Sequence, residues 1–293
     1  MSTSSAGTST TSTPSTAPTL ATTGSTGILG GYVAGMLADA GVAQRLLVRD
    51  PSRAPELPAS TVLPFAYSDR EASLRALDGV ETLFMVSAAE NAERLAEHRA
   101  FIDAARDAGV RHVVYTSFVG AAADATFTLA RDHFHTEEHL KQSGMAFTFL
   151  RDNLYLDFMD AMVGEDGVIR GPAGDGRAAI VARFDVARVA AAILRDPAQH
   201  DGITYELTGP EALTMTEVAA ILTAHRGTPV RFHDETVEEA YASRRKWDAP
   251  QWQYDAWVST YTAIAAGELE RVTDDVEKVT GTAPLSLQQF LER

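Results

Sequence analysis

The segment Leu20-Ala21-Thr22-Thr23-Gly24-Ser25-Thr26-Gly27-Ile28-Leu29-Gly30-Gly31 limits the possible folds of this chain more than any other. A short apolar run stops at a glycine-rich turn, which opens directly into an alanine-rich helical pattern ending near Gly41. Strand, turn and helix in that order form the context in which a G-x-x-G-x-x-G spacing binds a dinucleotide. Gly24, Gly27 and Gly30 would then divide three tasks: a tight turn, approach of a pyrophosphate to the backbone, and close packing of helix on strand. A helix N-terminus offers unpaired N–H groups and a positive dipole end to an anion. An ordinary glycine-rich connection would show the same spacing, so the motif has to be weighed together with the second strand.

That second strand pattern, Arg45-Leu46-Leu47-Val48-Arg49-Asp50, ends in charge about 20 residues further on, where dinucleotide folds select at the adenosine ribose. A leading acid accepts from the 2′-hydroxyl of NAD(H), whereas a leading arginine holds the 2′-phosphate of NADP(H) in a charge-assisted fork. Arg49 comes first here and Arg53 adds a second cation, which favours NADP(H). Asp50 keeps NAD(H) possible, and a solvated strand end without a ligand remains the plain alternative.

The remaining pattern alternates strands and helices, the mark of an α/β Rossmann-type, doubly wound parallel sheet. Strands are expected at 61–65, 81–87, 110–118, 145–151 and 203–207, and helices at 70–77, 92–108 and 129–143. Ser87 would end its strand at the carboxyl edge, where open α/β sheets bind ligands. Asp152-Asn153-Leu154-Tyr155 leaves its strand toward the same edge, and Asp185 is the expected N-cap of a helix over 186–195. Residues 1–16 are expected as a disordered tail and 17–155, continued by 177–210, as the NAD(P)-binding domain. Residues 156–176, of which 164–176 read as a glycine-rich loop, and 211–293 are expected to form a small, mostly helical substrate domain.

With 293 residues, 45% of them hydrophobic, the chain can bury a sizeable core, and no apolar stretch is long enough to span a bilayer. Its net charge of −15 argues against nucleic acid or an anionic membrane as a main partner. The absence of cysteine suits a reducing, cytoplasmic setting and removes disulfides and thiolate metal sites. A monomer or homodimer is the expected assembly.

His135-Thr136-Glu137-Glu138-His139 matches the H-x-x-E-H zinc-peptidase pattern. The match is short and lacks a third ligand, so no metal is expected and a polar helix face is the preferred reading. His133 is the stronger functional candidate of the cluster: an imidazole of near-neutral pKa can touch ribose hydroxyls or lend a proton to an acceptor. A polar histidine without a task fits the sequence equally well. Trp247, Trp252, Tyr254 and Trp257 suit core packing as well as stacking. Phe118, Tyr155 and Phe158, nearer the expected sheet edge, are better placed to wall a flat substrate.

Taken together, Thr23–Gly30, Leu47–Pro51, Val114–Ser117, His133–Glu137 and Phe147–Tyr155 resemble the NmrA-like, atypical short-chain dehydrogenase/reductases, most of all members that reduce triphenylmethane dyes and quinones. The resemblance implies NADP(H) and hydride transfer to a flat, conjugated, small-molecule acceptor. It places Gly24, Ser25, Thr26, Gly27, Ile28 and Leu29 around the pyrophosphate, Arg49 at the 2′-phosphate, Ser87 beside the nicotinamide-side phosphate and ribose, and Tyr67, Thr116 and Asn153 among the cofactor contacts. It also allows a non-catalytic, NADP(H)-sensing regulator.

By the same resemblance His133 takes the slot of the lysine in the Tyr-x-x-x-Lys pair, while Leu129 takes that of the tyrosine. The usual proton donor is therefore missing. An ordinary ketone would suffer, because its alkoxide needs such a group. A cationic dye needs no proton on receiving hydride and a quinone forms a weakly basic anion, so both tolerate a weak acid such as His133.

Overall fold

The computed structural model describes residues 17–293, so the tail expected over 1–16 lies outside the described residues. The first part of the chain alternates β1 (Leu20–Thr23), α1 (Ile28–Asp39), β2 (Gln44–Val48), β3 (Ser60–Pro64), α2 (Arg70–Leu77), β4 (Thr82–Met85), α3 (Arg94–Asp107), β5 (His112–Phe118), α4 (Thr128–Ser143) and β6 (Ala146–Asp152). Then come β7 (Val168–Gly171), β8 (Arg177–Ala178), α5 (Arg183–Arg195) and β9 (Ile203–Leu207). The remainder holds β10 (Leu213–Thr214), α6 (Met215–Arg226), β11 (Arg231–Asp234), α7 (Val237–Arg244), α8 (Gln251–Ala265), α9 (Asp275–Thr280) and α10 (Leu287–Leu291).

Seven strands form one parallel sheet in the order β3-β2-β1-β4-β5-β6-β9. Every residue of β2 and β5 is buried, as continuous apolar runs predict for strands covered on both faces. Alternate side chains feed two cores. Ala21, Leu47, Leu83, Val113 and Phe149 pack with Leu77, Phe101 and Leu140 on the side of α2, α3 and α4. Leu20, Phe84, Val114 and Leu150 pack with Val33, Leu37, Val186 and Ile193 on the side of α1 and α5. A third core joins Phe118 and Leu156 to Ile169, Val218, Leu222, Tyr261 and Ile264 of the C-terminal region.

Three expectations change. The stretch 164–176 is not all loop, since it contains β7, which pairs in parallel with β11; just beyond it β8 pairs antiparallel with β10. Strands this short leave no periodic signal. Asp185 is not the cap of α5. The helix starts at Arg183, whose backbone N–H donates to Asp157 Oδ2 at 3.1 Å, while Asp185 lies buried inside the helix and accepts from Arg188 and from the Leu285 backbone. A cap supplied from another segment is invisible to a local rule. Finally, α9 packs on α5, with Val276 in the core of Val33 and Val186, and Asp275 accepts from the Glu206 backbone at 2.9 Å. Part of the C-terminal stretch thus returns to the sheet layer. No described helix is long and apolar enough to cross a membrane.

Candidate functional site

The strand order reverses between β1 and β4, and open α/β sheets bind ligands outside the carboxyl ends of their strands at such a point. The glycine turn leaves β1 there. Gly24 has φ +70°, and the Gly27 backbone donates to Gly24 O at 2.9 Å. A Cβ on Gly30 would lie 2.3 Å from Gly24 O, so only glycine lets α1 pack on the turn. A Cβ on Gly27 would meet nothing nearer than 3.4 Å. Gly27 caps α1 without a side-chain hydrogen bond and no acid stands in the first turn, which leaves the helix donors for an outside anion. Ser25 is buried with an unpartnered Oγ, Leu29 is buried, and Thr26, Gly27 and Ile28 are exposed. This cradle fits a dinucleotide pyrophosphate.

At the end of β2, Arg49 is exposed and makes no ion pair among the described residues. Asp50 instead caps the next turn, accepting from Ser52 N at 3.0 Å and Ser52 Oγ at 2.7 Å. The bond from the Ser52 hydroxyl, foremost, holds its carboxyl below the usual range. The free cation and the engaged acid suit a 2′-phosphate better than a bare ribose hydroxyl.

The loop after β4 is held from several sides. Thr23 Oγ1 accepts from Val86 N at 2.8 Å, and the Tyr67 hydroxyl reaches both Thr23 Oγ1, at 3.0 Å, and Val86 O. Tyr67 is thereby tied into the floor of the crevice. Thr116 Oγ1 accepts from Ser87 N at 2.8 Å. His98 Nε2 accepts from Ala88 N at 2.9 Å, and Arg94 Nε donates to Ala88 O at 3.0 Å. Neither α3 residue stood out in the sequence, since a helical arginine and histidine look like surface residues.

His133 is only 6% exposed, and its ring is engaged on both sides. Arg94 Nη2 lies 3.0 Å from Nε2 and the Tyr115 hydroxyl 2.9 Å from Nδ1. Guanidinium only donates, so Nε2 is the acceptor and Nδ1 carries the hydrogen toward Tyr115. Burial, and then the charge of Arg94, push the imidazole pKa well below its ordinary value. The helper-acid role expected of His133 therefore meets a neutral ring with no spare N–H. Leu129, in the tyrosine slot, is buried.

The end of β6 carries the aromatic wall. The Tyr155 hydroxyl donates to Asp152 Oδ2 at 2.6 Å, and burial pushes the Asp152 carboxyl up to about 8. The Arg183 guanidinium, at the start of α5, lies 4.5 Å from the Tyr155 ring centre and 4.1 Å from that of Phe158, which is 50% exposed. Phe118 is buried instead, against Phe127 at 4.9 Å. Asn153 donates from Nδ2 to Leu269 O at 2.9 Å, tying β6 to the C-terminal region. Arg183 is a member of this edge that no sequence pattern marked.

The H-x-x-E-H residues have separate partners: His139 meets Asp103 at 3.1 Å, Glu138 meets Lys141 at 2.7 Å, and His135 packs edge-on to Phe134. Glu137, within the motif, is buried against Arg151 and Ser117, joining α4 to β6 and β5. No group of three metal-ligating side chains occurs among the described residues. Trp247 and Trp257 meet edge-to-face at 5.8 Å and line a cleft of about 1060 Å³ with Met162, Arg170, Lys246 and Tyr261. That cleft shares no lining residue with the glycine turn or the Tyr155–Phe158 edge.

The model of the NmrA-like family matches residues 16–248. An NAD(P)H azoreductase of Xenophilus azovorans is 33% identical over 267 residues, covering 89% of this chain and 93% of that one. Among solved structures, the NADPH-dependent quinone oxidoreductase of Escherichia coli in complex with NADPH is 33% identical, with a TM-score of 0.85 over 93% of this chain and 98% of that one. The triphenylmethane reductase of a Citrobacter species, complexed with NADP(H), is 29% identical, with a TM-score of 0.82 over 93% and 99% of the respective chains.

Proposed function

This chain belongs to the NmrA-like family, and we propose that residues 17–155 with 177–210 hold NADP(H) while 156–176 and 211–293 shape the place of the acceptor. The protein is an NADPH-dependent oxidoreductase of flat, conjugated acceptors, with NADH as the weaker cofactor. The observation that carries this reading is the uncapped start of α1 over the Gly24–Gly27 turn, at the point where the strand order reverses. NADPH, when bound, supplies hydride.

The chain's own part is binding and orientation. Ser25, Thr26, Gly27 and the first turn of α1 hold the pyrophosphate, and Arg49 holds the 2′-phosphate. Ser87 and Thr116 fix the loop along the nicotinamide half, helped by Tyr67 from below. His133, held neutral, keeps the Arg94 guanidinium against the Ala88 carbonyl and so positions that loop. Tyr155 and Phe158 form the wall against which the acceptor lies, while Phe118 is buried against Phe127. A quinone that gains two electrons and one proton becomes a hydroquinone monoanion, and a second proton, from water, completes it. No strong side-chain acid is required, which agrees with Leu129 in the tyrosine slot.

The test is NADPH consumption at constant enzyme across quinones, azo compounds, cationic dyes and ordinary ketones. Turnover of the conjugated acceptors and not of the ketones is expected. Tight NADP(H) binding without turnover of any acceptor would make the chain a sensor instead.

A further inference from the structure

The guanidinium of Arg183 is held by aromatic faces and not by hydrogen bonds. It lies between Tyr155 and Phe158, at 4.5 Å and 4.1 Å from their ring centres, and among the described residues it makes no hydrogen bond. Its ion pair with Asp157 is made without a side-chain hydrogen bond. Asp157 Oδ1 is 3.7 Å from Nη1, and the other oxygen of that carboxylate is engaged by the Arg183 backbone. Asp152, the other acid facing this cluster, shares the Tyr155 hydroxyl, and its burial favours the uncharged form. Arginine does not lose its charge at any pH a protein meets. A permanent cation with unclaimed donors therefore stands on the wall proposed for the acceptor.

From this arrangement we infer that Arg183 sets the charge class of the acceptor: it favours flat molecules bearing a carbonyl or anionic oxygen and disfavours permanently cationic dyes. This rests on the acceptor-reducing reading above and narrows it. A carbonyl, sulfonate or carboxylate oxygen beside the ring accepts the free N–H groups, and charge-assisted bonds of this kind are the strong ones. A cationic ring laid on Phe158 meets like charge at short range. The chain's net charge of −15 would by itself attract cations, so the discrimination has to come from the site.

The experiment compares the wild-type protein with Arg183→Met, which keeps an apolar body between the rings, and Arg183→Lys, which keeps the charge. Each is assayed with a naphthoquinone sulfonate and a cationic triarylmethane dye. Equilibrium binding of a naphthalene sulfonate is measured in the presence of NADP+ without turnover, and NADPH affinity by fluorescence. Arg183→Met should lower kcat/KM for the sulfonate by about ten- to a hundredfold, raise it severalfold for the dye, and weaken sulfonate binding in parallel. Arg183→Lys should fall between, with NADPH affinity unchanged in both variants. Equal losses with both acceptors would reduce Arg183 to a structural role and overturn the inference, as would a main effect on NADPH affinity. Should the wild-type protein reduce neither acceptor, the reductase reading fails, while sulfonate binding still decides the role of Arg183.

Discussion

Arg94 donates to His133 Nε2 across 3.0 Å, and this bond fixes the tautomer of a histidine whose sequence position suggested an acid. With Nδ1–H directed to Tyr115, the ring is a buried acceptor that keeps a guanidinium in place.

Removing that acceptor leaves Arg94 short of a partner. His133→Ala should cost about 1–3 kcal/mol of stability in urea unfolding, and His133→Gln, which restores an acceptor, should recover part of it. Quinone and cationic acceptors should slow by the same factor, because no proton leaves this ring. Selective slowing of the quinone would return His133 to the role of proton donor.

The glycines of the turn should differ in kind. Gly30→Ala drives a Cβ to 2.3 Å from Gly24 O and should abolish NADPH binding while lowering Tm. Gly27→Ala has room for its Cβ and should stay folded near wild-type stability, so a loss of NADPH affinity in calorimetry would report on the phosphate approach alone. If both variants bound NADPH normally, the pyrophosphate would have to lie elsewhere.

Arg49→Ala should weaken NADPH by about 1.5–3 kcal/mol and leave NADH nearly untouched, since only the former carries the 2′-phosphate. Asp50 is expected to matter little to NADH, because its carboxylate is engaged by Ser52. Titrations of both cofactors against the single variants decide this.

Stability should depend on pH through groups of opposite sign. Burial pushes His98 down to about 3 and His133 well below its ordinary 6.5. Below pH 6.5 the unfolded chain binds protons that the folded one refuses, so stability falls as pH drops from 6.5 toward 3. Asp152 runs the other way: raised to about 8 from 3.8, it is protonated when folded and ionised when unfolded. Its contribution therefore declines as pH rises from 4 to 8. Asp152→Asn should remove that decline, and urea unfolding at pH 5 and pH 8 would show whether it does.

The framework can be read from the order of the residues alone. Continuous apolar strands alternating with amphipathic helices admit few topologies, because parallel strands buried on both faces require helical crossovers. The glycine spacing around Gly30 was legible for the same local reason, since helix and turn are adjacent in the chain. The place of Arg49 just after β2 was legible because a strand end has a fixed position relative to the fingerprint. How polar groups are shared between distant segments emerges only from the packing. Arg94 reaches His133 across 39 residues, Asp157 caps a helix that begins at Arg183, and Asn153 bonds to Leu269. A local pattern can nominate a histidine or an aspartate for a task, but burial and the nearest partner set its protonation state and its free donors. Those are properties of the packed molecule, fixed only when segments far apart in the chain come within hydrogen-bond distance.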